Sequence, residues 1–109
     1  MTPKEREQFY DREIAPALMD LAGKCQDNGL SIAAMVEWEP GETGRTAALA
    51  ATAGFGIRMV EAAMQAKGNV DSLIFALMKY GTEHGHSSAC LHLLGVPTVA
   101  NSDVLPRAS

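Results

Sequence analysis

From Tyr10 onward, apolar residues recur every three or four positions: Tyr10, Ile14, Ala17, Leu18, Leu21 and Cys25, with Glu13, Asp20 and Lys24 on other faces. That spacing predicts an amphipathic helix. Its start is marked by Thr2, Pro3 and Glu5, which read as an N-cap, a first-turn proline and an acid at the positive end of the helix dipole. Pro16 falls inside the stripe. It lacks the N–H that would bond to the Arg12 carbonyl, so the helix must kink or divide there. Asp27, Asn28 and Gly29 supply the stop.

The period then falls to two. Ile32, Ala34, Val36 and Trp38 alternate with Ala33, Met35 and Glu37, the pattern of a strand buried mainly on one face. "PGETG" is turn chemistry and "RTAALA" reads as the returning strand, which predicts a β-hairpin over about residues 31–50. An isolated hairpin is marginal in water, so it must lie on helices or pair with another edge. Helical composition returns with "IRMVEAAMQAK", ending at Gly68. Asn69 caps a third helix, whose stripe of Val70, Leu73, Ile74, Leu77 and Tyr80 runs up to Gly81. Phe75 and Met78 lie off that stripe and give the helix an additional apolar face that calls for a cover. Ser87 or Ser88 caps a short last helix that stops at Gly95. The expected fold is α+β: a mainly helical single domain over residues 1–95, with the hairpin packed on three to four helices, and an irregular C-terminal tail over 96–109. No internal repeat is visible.

A length of 109 residues suits one domain, and a 47% apolar, 20% charged composition excludes the disordered class. The net charge of −4 and pI near 5.2 make nucleic acid an unlikely partner. The N-terminal "MTPKEREQFYDRE" has the character of neither a signal nor a transit peptide, and every apolar run is too short to span a bilayer, so no membrane association and a cytoplasmic location are expected. In a reducing compartment Cys25 and Cys90 are unbridged thiols.

Chemistry-bearing residues concentrate in "YGTEHGHSSACLH". His84, His86, Cys90 and His92 are donors that suit zinc. Their spacing, H-x-H-x3-C-x-H, lacks both the HExxH helix pair and the CxxC knuckle, and on a helix Cys90 and His92 point about 200° apart. Cys90 as a thiol nucleophile needs a histidine within hydrogen-bond reach, whereas its setting between Ala89 and Leu91 is that of a structural thiol. "GETGRT" offers backbone amides and a guanidinium to an anion but lacks the Lys-Ser/Thr ending of a P-loop. Arg45, Thr46 and Arg58 are the residues that would serve a small-molecule or nucleotide ligand. Met59, Met64 and Met78 suit either core filling or an adaptable binding face.

Taken together, "FYDREIAPALMDLAGKC", "VEWEPGETGRTA" and "LMKYGTEHGHSSACLHLLGVP" resemble the small accessory proteins carried by tailed phages and prophages of proteobacteria. The resemblance implies a protein that acts in the host cytoplasm by binding and modulating a host factor or host defence. The resulting expectation is a non-enzymatic interaction protein without a cofactor, forming a homo-oligomer through Phe75 and Met78 and engaging a protein partner. A small-molecule binder using Arg45, Thr46 and Arg58 is one alternative. A zinc-dependent or thiol enzyme using His84, His86, Cys90 and His92 is the other.

Overall fold

The computed structural model describes residues 1–100. The chain is α+β and mainly helical, as the sequence predicts: α1 (Pro3–Phe9), a π-helical segment (Tyr10–Ile14), α2 (Ala15–Asp27), the strands β1 (Ile32–Glu39) and β2 (Glu42–Ala48), then α3 (Phe55–Ala66), α4 (Val70–His84) and α5 (Ala89–Leu93). The chain falls into two compact units, the first ending at Gly68 and the second beginning at Asn69. The break has a local cause. Lys67 and Gly68 both take left-handed backbone (φ 52° and 84°), and Asn69 starts a new helix by accepting from the Ser72 amide at 2.9 Å.

In the first unit, Thr2 and Glu5 form a reciprocal capping box: the Glu5 amide donates to Thr2 Oγ1 at 3.1 Å and the Thr2 amide to Glu5 Oε1 at 2.8 Å. The Thr2 amide, and after it the Thr2 hydroxyl, hold the Glu5 carboxyl below its ordinary pKa. The disturbance expected at Pro16 appears as the π-helical segment, in which the Ala15 amide bonds back to the Tyr10 carbonyl, five residues away. The extra residue in that turn rotates everything downstream by about 100° relative to a straight helix. As a result the inward line runs through buried Tyr10 and Ala22 and half-buried Ile14, Leu18 and Cys25, while Ala17 and Leu21 of the expected stripe are exposed.

The hairpin is antiparallel, with Ile32 opposite Ala48, Ala34 opposite Thr46 and Val36 opposite Gly44 on one face, and Ala33 opposite Ala47, Met35 opposite Arg45 and Glu37 opposite Thr43 on the other. The register shifts between Glu37 and Glu39, and Pro40 and Gly41 alone form the loop, so Glu42, Thr43 and Gly44 of the expected turn belong to β2. Helices α1 and α2 pack on the hairpin, as does α3. Tyr10 is buried over the Val36–Gly44 face, its ring 5.1 Å from that of Trp38. Arg6 donates from Nε to the Trp38 carbonyl at 2.7 Å, which ties α1 to the end of β1.

In the second unit, α4 continues through Gly81, where the sequence suggests a stop, and ends at Gly85 (φ 81°). Gly81 serves packing instead: a Cβ there would come within 3.1 Å of the His86 ring, 3.2 Å of Leu91 and 3.4 Å of Val96. Leu91 and Val96 are the buried apolar residues of this unit among those described. The segment from Val96 to Ala100 has neither helix nor strand and is anchored through the buried Val96 and a bond from the His86 amide to the Thr98 carbonyl. Residues 101–109 of the expected tail lie outside the described residues.

Candidate interaction surface

Helix α4 is 15 residues long, about 22 Å, whereas α5 is 5 residues, about 7.5 Å. A short helix cannot cover a long one. The packing around Gly81, His86, Leu91 and Val96 sits at the C-terminal end of α4, and several apolar side chains nearer its N-terminus are exposed. Val70 is 65% exposed, Ile74 37% and Phe75 67%. Met78 is half-buried. Phe75 therefore stands where the sequence puts it, outside the packing of its own unit. Val70 and Ile74 do not: the stripe that reads as internal packing is exposed at these two positions, while Leu73 and Leu77 are half-buried. The signal that finds them is the length of the apolar arc set against the short run of residues available to cover it. Leu93, Leu94 and Val99 of the same unit are also exposed.

The histidine and cysteine cluster is dispersed. His86 has both ring nitrogens engaged: the Ser88 amide donates to Nδ1 at 2.9 Å, and Nε2 lies 3.0 Å from the Val96 carbonyl. A nitrogen that accepts from an amide carries no proton, so the proton is on Nε2 and is donated to Val96. In that tautomer the ring's donor and acceptor are both satisfied. His84 ends α4 with its ring 4.4 Å from that of Tyr80, one turn earlier. Cys90 and His92 are exposed on α5, whose N-cap is Ser88, accepting from the Leu91 amide at 3.1 Å. Among the described residues, no three of His, Cys, Asp or Glu come together in a group able to hold a metal.

Arg45 and Thr46, neighbours in β2, project to opposite faces of the hairpin: Arg45 pairs with Met35 and Thr46 with Ala34. Arg45 lies in an open cleft with Thr43, Ala47, Glu61, Met64 and Gln65, whereas Arg58 donates from Nε to the Ala53 carbonyl at 3.3 Å in the loop before α3. Neither Thr46 nor Arg58 lines the cleft that holds Arg45. Cys25 and Cys90 are both free thiols. Met64 is buried, while Met59 is 43% exposed on the same helix. Among the described residues, no helix is long and apolar enough to cross a membrane.

Compared with known proteins, the chain matches no family model, no curated protein and no solved structure.

Proposed function

We propose that this chain acts by binding protein and not by catalysis, with the open face of α4 as its contact surface. The observation that carries the reading is Phe75, a large aromatic side chain 67% exposed on a capped helix, flanked by exposed Val70 and Ile74. Contiguous apolar surface of this kind marks interaction sites on soluble proteins, and aromatic residues anchor such contacts. The engagement of His86 and the separation of Arg45 from Thr46 also favour binding over chemistry. Binding is what the resemblance to phage accessory proteins implies as well, with a host protein as the class of target beyond self-association.

The test compares immobilised wild-type chain with Phe75→Asp for retention of protein from solution, either another copy of the chain or a different protein. Burying a phenylalanine contributes roughly 1.5–3 kcal/mol, so retention should fall sharply in the variant while the melting temperature is kept. Equal retention by both chains overturns the reading. So does a variant that unfolds, because Phe75 would then belong to the core.

A further inference from the structure

We infer that what covers the α4 face is a second copy of this chain, docked antiparallel about a two-fold axis beside Phe75. This rests on the reading of α4 as a contact surface and adds the identity and direction of its occupant. The evidence is the order of charges along the helix. Asp71, Phe75 and Lys79 stand at i, i+4 and i+8, so they form one row on one side of α4, and all three are exposed. Acid, aromatic and base follow one another, with the two charges about 12 Å apart. Neither charge takes part in an ion pair among the described residues, where the pairs are Arg12 with Glu13 and Lys24 with Asp20.

Such a row is complementary to itself in one direction only. Turned about a two-fold axis at Phe75, Asp71 of each copy meets Lys79 of the other, and the two Phe75 rings meet at the centre. Side by side in parallel, Asp71 would face Asp71 and Lys79 would face Lys79, so the same residues that favour one orientation oppose the other. The dipole of α4 accounts for Asp71, which lies in its first turn, but not for Lys79. Dipole effects fade beyond the last turn, and there the basic residue is His84. Ile74 and Met78 border the row and extend the apolar contact on one side of it.

The experiment is sedimentation equilibrium of the full chain with charge exchanges at these exposed positions. Wild type should dimerise, and Asp71→Lys and Lys79→Asp should each weaken the dimer by about tenfold or more, with unchanged circular dichroism. Mixing the two single variants should produce a mixed dimer, because each supplies the charges the other lacks. The double exchange within one chain should restore self-association. A dimer indifferent to all these exchanges, or single variants that fail to pair when mixed, overturns the antiparallel arrangement. A wild-type chain that stays monomeric also overturns it, and in that case Phe75-dependent retention of a different protein would leave the proposed function standing.

Discussion

Tyr10 lies over Gly44, its ring occupying the space that a Cβ at position 44 would need. The backbone gives glycine no other reason to be there, since Gly44 is absent from the positive-φ positions that hold Gly29 and Gly41. Close approach of an aromatic ring to a strand is the whole requirement, and Trp38 completes the contact from the same face of the hairpin.

Gly44→Val should therefore destabilise the first unit by about 1–3 kcal/mol, the usual cost of overpacking. Pairing it with Tyr10→Ala should recover part of that loss, because the ring that the new side chain strikes is gone. Denaturant unfolding of the four chains of this cycle checks the coupling. Strictly additive losses would separate the two residues.

His86 joins the end of α4 to the segment after α5 through Val96 and to the cap of α5 through Ser88. Truncation to Ala leaves a carbonyl and an amide without their partner, so His86→Ala should cost about 1–3 kcal/mol within the second unit. Amide exchange gives the local measurement: the Ser88 amide should exchange faster in the variant, while those of the hairpin keep their wild-type rates.

Glu5 supplies a pH dependence with a defined sign. Its carboxyl is held below the ordinary value by the Thr2 amide and hydroxyl, so the folded state favours the charged form. The contribution is present above the unfolded-state pKa and is lost as pH falls through the folded one. On acidification from neutral pH to below 4.5, the ordinary glutamate value, the first turn of α1 should fray. The chemical shift of the Thr2 amide should follow that titration. Glu5→Gln keeps an acceptor at the same position and should abolish the acid-induced change there.

The hairpin and the helix caps were legible because their signals are local: alternation over β1, a proline and glycine at the loop, and Thr2, Asn69 and Ser88 at three helix starts. What escaped depends on neighbours distant in sequence. Gly81 reads as a terminator until Leu91 and Val96 are seen to need its missing side chain. His86 stands in the sequence as one of four candidate zinc donors, and nothing local foretells its bonds to the Val96 carbonyl and the Ser88 amide. Arg45 and Thr46 look adjacent because they are consecutive, yet a strand sends consecutive side chains to opposite sides. On α4, periodicity identified an apolar arc correctly but could not say how much of it the following residues would cover.

The π-helical segment bears on how this chain tolerates changes in length. With Tyr10 as reference, the residues facing inward after the segment are those that would face inward in a plain helix one residue shorter: Leu18 and Ala22 keep their side, and Ala17 and Leu21 keep theirs. The segment thus has the geometry of a single inserted residue absorbed into an otherwise ordinary helix. A lineage that lost one position between Tyr10 and Ile14 would retain the same inward side chains. One that straightened the helix at its present length would turn Leu21 towards the hairpin in place of Ala22, and the Ala-rich strands would have to accommodate it.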